Sequence, residues 1–589
     1  MAIPKWQQNV PSNRVIFPMR YSVLRRAGAV IFVVACILGN SVNISGVVAS
    51  GIQPEPITQH ASRNACGQVS SNRARCLSTI STERVADPIT ASPNTSGFYG
   101  PTEFHTAYQL PCTPGGVVQA VCATPSTYGP ETIAIVDAGG YASTSGTLEA
   151  DLQTYTTHYG LPACTAANGC LTIVNQTGAP SPLPANVSSG WSNEIALDVQ
   201  VAHTICQTCK IVLVEANDDT LTNLVAAEDA AATFAPVAIS NSWGATTDVS
   251  AYDSHFTRTG VAVVAATGDN GTNNNGQSWP ADIPAVIAVS GSTLRLNTNN
   301  TWASETLWSG SGGGCSTSYT APAWQTSRSD WVTNGCSNGG RAFGDVAADG
   351  DPNTGAAVYV DSGWYMVGGT SLASPLIAAM YALQGAMPAG TSAVKTLYQN
   401  SSQTAFHDIT SGSDCVTSGQ LDCTASAGFD VPTGLGAPTG LSAFVADPTP
   451  PYNLMASHIN QTQLNISWAT ASALNGISNY QIYRDGSLTS TSTANGFSDT
   501  GLTPNSYYTY YLKTVDNKGG VSSPSETLAA DTFLLPDINR DGHINLLDFS
   551  LLASKYGQTG GSLGRSDING DGVVNLLDFS LLASKYGTE

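Results

Sequence analysis

Three short segments carry residue types that chemistry needs and that packing alone does not explain. In Trp191-Ser-Asn-Glu194-Ile-Ala-Leu-Asp198 two acids stand four residues apart, so on a helix they project from one face. In Ala266-Thr-Gly-Asp269-Asn-Gly271 a lone acid between glycines follows an apolar run. In Gly368-Gly-Thr-Ser371-Leu-Ala-Ser-Pro375 a hydroxyl leads into the helical run Leu376 to Leu383. A serine at a helix N-terminus sits beside unpaired backbone N–H groups, which can stabilise an oxyanion. Such a serine needs a base. A carboxyl group serves only when its pKa is lifted toward the working pH, and neighbouring acids that share protons do this. The combination points to acyl chemistry run by carboxyl groups and favours acidic operation.

The chain's eight histidines offer no better base, because none lies in a His-Gly-Thr-His type of segment. His203 stands on the same expected helix, about 180° around it from Glu194, and reads as a surface or packing residue. Asp137, ending Ile133-Ala-Ile-Val-Asp137, reads as a structural or secondary site residue. Alone, Glu194 and Asp198 would read as a solvated helix face. Beside the serine and Gly-Asp-x-Gly segments, convergence of all four groups is the better reading.

Glu-x-x-x-Asp, Gly-Asp-x-Gly and Gly-Thr-Ser-x-x-x-Pro, in this order and spacing, are similar to the sedolisins, the serine-carboxyl peptidases. The resemblance covers roughly residues 96–446 and includes Phe104-His-Thr-Ala-Tyr108, Ser240-Asn-Ser-Trp-Gly244 and Asp345-Val-Ala-Ala-Asp-Gly-Asp-Pro352. It implies Ser371 as nucleophile, Glu194 as general base and acid, Asp198 as the group orienting Glu194, and Asp269 beside the Ser371 N–H in an oxyanion hole. For Asn241, Ser242, Trp243 and Gly244 it implies a substrate-binding wall; a strand end around a buried Trp243 is the competing reading. It also implies one Ca2+ held by the carboxylates of Asp408 and Asp430 with the carbonyls of Ile409, Ser426 and Gly428. A sedolisin further implies a long N-terminal prodomain, which the segment 51–95 is too short to hold.

The elements that must position these groups are legible as short β-branched runs alternating with helical stretches: Thr132 to Val136, Ile211 to Glu215, Val237 to Ser240, Val261 to Ala265 and Ala285 to Val289. Such runs predict buried parallel strands in an α/β subtilisin-like sheet. Pro448, Pro450 and Pro451 mark a linker. Residues 447–533 change to strand alternation broken by turns; Trp468 and the stretch Leu502-Thr-Pro-Asn-Ser-Tyr-Tyr508 resemble a fibronectin type III sandwich with its tyrosine corner.

Residues 534–589 contain a duplicated loop–helix unit starting at Asp537 and again at Asp567. Each copy sets oxygen ligands at the spacing a hard cation requires. The side-chain ligands are Asp537, Asn539, Asp541 and Asp548, then Asp567, Asn569, Asp571 and Asp578, with the carbonyls of His543 and Val573. Asp rather than Glu at the last ligand position, followed directly by a helix, resembles the dockerins, which implies two Ca2+ ions and a cohesin-type partner.

With 11% charged residues and a formal net charge of −20 over 589 residues, the chain is ill suited to nucleic acid or anionic membranes. Arg20, Arg25 and Arg26 before the apolar run Ala27 to Leu38 and Val48-Ala49-Ser50 predict an export signal over residues 1–50, or an anchor if uncleaved. Residues 51–95 read as a short propeptide-like or linker segment. Of 13 cysteines, one lies in that signal and the rest fall in close pairs, including Cys112 with Cys122, as local disulfides in a secreted protein would. Cys206-Gln-Thr-Cys209 reads as a bridge rather than a redox or zinc pair. The leading reading is a secreted endopeptidase acting on protein substrates; the alternative is a non-catalytic adhesion or scaffold protein on a peptidase fold.

Overall fold

In the computed structural model the described residues are 25–26 and 29–30 and, from 59 to 587, all but 68–69, 71, 86–97, 111–130, 145, 248, 273–277, 386, 388–391, 402–404, 418–421, 446–447, 461, 472, 474–475, 505, 518–520, 523, 533–535, 540, 542, 561–562 and 570. Most of the expected export signal and the Cys112 and Cys122 pair fall outside them. Within the N-terminal unit, Arg25–Arg26 pairs antiparallel with Ala29–Val30. No helix among the described residues is long and apolar enough to cross a membrane.

Residues 59–85 contribute three short strands, β1 (Ser62–Asn64), β2 (Arg75–Cys76) and β3 (Thr79–Ser81). Helix α1 spans Pro101–Ala107. The sheet is then built from β4 (Thr132–Ala138), β5 (Leu171–Asn175), β6 (Lys210–Ala216), β7 (Ala238–Asn241), β8 (Trp243–Gly244, an extension beyond the sheet), β9 (Ala262–Ala266), β10 (Ile287–Leu296), β11 (Trp302–Leu307) and β12 (Val346–Asp349). Its order is β11-β10-β9-β7-β4-β6-β5, with β12 also on β10; the pairings are parallel except β10 with β11. Period-two alternation sends Ile133, Ile135, Ile211, Leu213 and Val264 into one core and Ala134, Val136, Val212, Val214 and Val263 into another. Both faces are covered, which is why the strands read as unbroken apolar runs.

One core is roofed by α2 (Leu148–Tyr159), α3 (Ser189–Ile205) and, after the hairpin β13 (Ala356–Val360) and β14 (Gly363–Gly368), by α5 (Thr370–Gln384). The other is covered by α4 (Leu221–Ala232). Helix α3 starts at Ser188, whose hydroxyl accepts from Trp191 N–H. Every residue of α3 from Gly190 to Ile205 is buried, so the solvated-face reading of Glu194 and Asp198 does not hold, and His203 is a packing residue whose Nε2 bonds the Pro162 carbonyl. Five of the expected disulfides are formed: Cys66–Cys76, Cys164–Cys170, Cys206–Cys209, Cys315–Cys336 and Cys415–Cys423.

Beyond the linker, strands Tyr452–Asn460, Gln463–Ala469 and Gly496–Thr500 form one sheet, and Ser487–Ser492, Ile477–Arg484, Ser506–Asp516 and Leu528–Thr532 the other. They enclose Leu464, Ile466, Trp468, Tyr480, Ile482, Tyr510 and Leu512. The tyrosine corner is closed by Thr503 N–H donating to Tyr508 Oη at 2.8 Å. In the tail, α6 (Leu546–Lys555) and α7 (Leu576–Lys585) are capped by Asn545 and Asn575. Asp548 and Asp578 complete both capping boxes, accepting from Asn545 and Asn575 N–H at 2.9 Å. That gives the shorter acid at the last loop position a local structural reason.

Candidate active site

The three segments converge where α3 and α5 meet the C-terminal ends of the parallel strands. Ser371 lies in the first turn of α5, after Gly369 at φ +96°. The loop is drawn onto the Gly-Asp-x-Gly turn by Thr370: its N–H and hydroxyl donate to Asp269 Oδ1 at 2.8 and 2.9 Å, and its hydroxyl accepts from Gly268 N–H at 3.0 Å. Behind it, Gly369 N–H donates to Gly350 O at 2.7 Å, which assigns the Asp345–Pro352 motif to supporting this turn. Pro375 has no N–H to offer the carbonyl one turn back. The Ser371 carbonyl accepts instead from the Ser242 hydroxyl at 3.3 Å.

Glu194 and Asp198 share the inward face of α3 and are fully buried. The Ser242 hydroxyl donates to Asp198 Oδ1 at 2.9 Å, and the Ser371 hydroxyl donates to Ser242 O at 3.1 Å. The Ser371 and Ser78 hydroxyls are near enough to Glu194 to act on its charge, yet neither Glu194 oxygen closes a full hydrogen bond. Histidines bond elsewhere: besides His203, His105 Nε2 meets the Thr204 carbonyl at 2.8 Å.

Burial, then the Asp137 carboxyl, pushes Glu194 well above the usual carboxylate range. Asp198 is raised by burial, then by Asp137 and Glu194. Asp137 itself is pushed up to about 8 by burial and by Glu215. Three buried acids are thus all held toward their protonated forms, and Asp137, read from sequence as a structural or secondary group, belongs to the cluster. Its signal was its place at the end of a central strand. Asp269 is pushed up to about 6 by burial, which its bonds to Thr370 and the charge of Arg75 only partly offset.

Leu77, from the N-terminal segment, completes the site. Ser371 N–H donates to Leu77 O at 3.1 Å, and Leu77 N–H donates to Ser242 O at 3.1 Å. A Cβ on Gly369 would stand 2.3 Å from Leu77 O and 2.5 Å from Asp269 Oδ2, so only glycine leaves room for that carbonyl beside the acid. Ser371 is wholly buried under this strand. Below it opens a cavity of roughly 470 Å3 lined by Leu77, Gly244, Thr246, Gly312 and Phe343 among others.

Of the expected substrate wall, the main chain of Ser242, Trp243 and Gly244 faces the cleft. The side chains of Asn241 and Trp243 turn the other way: Asn241 Nδ2 donates to Val264 O at 3.3 Å, and Trp243 is buried with Phe256 and Trp279, its Nε1 donating to Val136 O at 3.0 Å.

The expected peptidase-domain Ca2+ ligands come from two segments, 408–409 and 426–430, that meet through backbone hydrogen bonds. Asp408 accepts from Gly428 N–H at 2.9 Å and Asp430 from Ser426 N–H at 2.7 Å, with Ile409 fully buried alongside. Gly428 adopts φ +83° there, and Asp330 lies 3.0 Å from where its Cβ would be. Carboxylates and carbonyls without nitrogen or sulfur are the donor set of a hard cation. In the first tail loop, oxygens of Asp537, Asp541 and Asp548 lie within 4.8 Å of one another. Asn539 donates to Asp541, and His543 N–H also donates to Asp541. In the second, Asn569 and Val573 repeat those bonds to Asp571, Asp578 accepts from Asn569 N–H, and Asp567 accepts from Asp571 and Gly572 N–H.

Residues 185–425 match the subtilase family, residues 449–531 the fibronectin type III domain and residues 535–585 the dockerin type I domain. The chain is 30% identical to kumamolisin of Bacillus sp. (strain MN-32) over 369 residues, 58% of this chain and 62% of that protein. It is 33% identical to sedolisin of Pseudomonas sp. (strain 101) over 208 residues, 30% of this chain and 33% of that one. It therefore spans less than two thirds of the length of these relatives. A solved structure of Pseudomonas sedolisin, a serine-carboxyl proteinase complexed with two molecules of pseudo-iodotyrostatin, aligns over 58% of this chain and 95% of that one at 25% identity, with a TM-score of 0.47. The chain carries, in order, a subtilase-family domain related to the sedolisins, a fibronectin type III domain and a dockerin type I domain.

Proposed function

We propose that the chain is a serine-carboxyl endopeptidase that hydrolyses peptide bonds in proteins, most actively in acid. The observation that carries this reading is the Ser371 N–H, bonded to a peptide carbonyl next to Asp269 with Glu194 and Asp198 buried behind. Ser371 attacks the carbonyl carbon and Glu194 takes its proton, its basicity raised by the acids around it. Asp198, oriented by the Ser242 hydroxyl, holds Glu194 and shares its proton. The Ser371 N–H and protonated Asp269 stabilise the oxyanion. Glu194 then protonates the leaving nitrogen, and water hydrolyses the ester by the reverse path.

Asp408, Asp430 and the carbonyls of Ile409, Ser426 and Gly428 would hold one Ca2+, and the tail loops one each. Those ions stabilise the folded turns by binding them and not the unfolded chain. The tail helices expose Leu546, Leu547 and Leu551, repeated as Leu576, Leu577 and Leu581, an apolar surface suited to a cohesin-type partner. Export to the cell exterior agrees with the disulfides.

The test is hydrolysis of dye-labelled casein between pH 3 and 8 by the wild type and by Ser371→Ala. Ser371-dependent cleavage strongest in acid supports the reading; equal cleavage by both proteins, or none by either, overturns it.

A further inference from the structure

The cavity beneath Ser371 lies between two backbone edges, Gly244 to Thr246 on one side and the Gly-Asp-x-Gly turn, Gly268 to Gly271, on the other. A further wall comes from far along the chain, where Val416 also lines it. Val416 belongs to two strips, 412–417 and 422–424, joined by the Cys415–Cys423 disulfide. Asp414 N–H donates to Cys423 O and Ala425 N–H to Gly412 O, both at 3.1 Å, so the strips run against each other. At their base, Leu307 N–H, the end of β11, donates to Ser411 O at 2.9 Å.

Beside the cavity the strips are fastened to the turn that carries Asp269. Thr272 N–H donates to Asp414 O at 2.8 Å, and the Thr272 hydroxyl donates to the buried Asp414 carboxyl. Gly271, at φ +69°, lets them come this close. A Cβ there would stand 2.5 Å from Asp414 O and 2.9 Å from a Val416 methyl. The last glycine of the motif is therefore needed to seat this wall. Val416 itself is 55% exposed, an apolar side chain at the rim that a bound side chain would cover.

What the cavity accepts follows from its lining. Gly268, Gly271, Gly312 and Gly313 offer backbone only, and Phe343 supplies an aromatic surface. The charged side chains on it are Arg75 and Asp269, and each acts on the other's charge. A substrate side chain with a charge of its own would give up water without gaining a partner. A large apolar one fits a space of roughly 470 Å3 and gains from burial. A carbonyl on the Ser371 N–H lies beside Asp269, so the side chain of that same residue is the one that enters.

We propose that Val416 is a specificity-determining residue. It forms the side wall of a pocket for a leucine-sized or aromatic side chain on the residue that supplies the scissile carbonyl. The Cys415–Cys423 disulfide and the Asp414–Thr272 contact hold it there as positioning groups. The proposal deepens the peptidase reading above and rests on it. A larger residue at 416 narrows the pocket, and a wall freed of its disulfide no longer grips what enters.

The experiment measures kcat/KM of the full chain on fluorogenic peptides that differ only in the residue before the cut: alanine, leucine, phenylalanine, glutamate or lysine. The proteins are the wild type, Val416→Trp, Val416→Gly and the double variant Cys415→Ser with Cys423→Ser, each checked for folding by thermal melting. The wild type is expected to favour leucine and phenylalanine over alanine roughly 10- to 200-fold, with glutamate and lysine lowest. Val416→Trp should lower the phenylalanine-to-alanine ratio roughly 10-fold. Val416→Gly and the double cysteine variant should both lower the leucine-to-alanine ratio. A wild type indifferent to that residue or preferring a charged one, or folded variants that keep the wild-type ratios, overturns this proposal and leaves the peptidase reading standing. No hydrolysis of any peptide by the folded wild type overturns both.

Discussion

Ser242 and Asp198 are joined by a 2.9 Å hydrogen bond from hydroxyl to carboxyl, and the carbonyl of the same serine accepts the Ser371 hydroxyl at 3.1 Å. One residue thereby ties the buried acids to the proposed nucleophile and to the cleft backbone. Its side chain positions; its main chain binds.

Ser371→Ala and Glu194→Gln are each expected to lower kcat by about 10^4-fold or more, with far-ultraviolet circular dichroism unchanged. Ser242→Ala keeps the carbonyl and loses the hydroxyl's bonds to Asp198 and to the Ser371 carbonyl. It should cost less, roughly 10- to 100-fold in kcat with KM little changed, by analogy with other removed site hydrogen bonds. Steady-state rates on a fluorogenic peptide decide between them.

Asp269 loses its proton as pH rises through about 6. Its capacity to donate to an oxyanion declines over that range, and kcat should fall with it. Asp269→Asn retains an N–H donor at every pH. Its kcat at pH 4 should drop roughly 100-fold, and the limb near pH 6 should flatten. A pH profile of both proteins that superimposes in shape would remove Asp269 from the oxyanion role.

The buried acids also set how stability depends on pH. Asp137 and Glu228 are pushed up to about 8, and Glu305 to about 7, chiefly by burial. Above the ordinary carboxyl range the unfolded chain releases these protons while the folded protein retains them. Their stabilising contribution is complete below about pH 4 and is lost as pH rises toward 8. The melting temperature should therefore be higher at pH 4.5 than at pH 8. Glu228→Gln, away from the cleft on α4, should flatten that slope without abolishing activity.

Chelation should act on the tail first. Without a cation, Asp537, Asp541 and Asp548 crowd carboxylate oxygens within 4.8 Å of one another. Adding EGTA to the full chain should abolish a separate calorimetric transition of the tail and any binding of a cohesin-type partner, and restoring Ca2+ should recover both. A tail transition indifferent to EGTA would contradict the calcium assignment.

The four candidate site residues were legible because Glu194 and Asp198 stand four apart on an expected helix and because Asp269 and Ser371 sit in glycine-rich segments next to apolar runs. The parallel strands were legible from their apolar runs. The path of residues 59–85 was not, because its strands are two or three residues long and pair with partners far along the chain, such as Trp243 and Val367. Nothing local encodes such a register. Alternation did contain one unused signal: Ser240 and Ser242 face α5, so Asn241 and Trp243 must turn inward. Asp137 was undervalued because its neighbours in the cluster come from α3 and β6, not from its own strand.

The bond from Trp243 Nε1 to Val136 O fastens the cleft edge to β4 one residue before Asp137. When the sheet flexes, Asp137 and the cleft edge that Trp243 fastens to β4 move with the same strand. Motion displaces them jointly and leaves their separation nearly constant, as two instruments mounted on one rail stay aligned while the rail shakes. Alignment at this site is thus a property of a shared mounting, and a smaller residue at position 243 would be felt as lost registration before it was felt as lost stability.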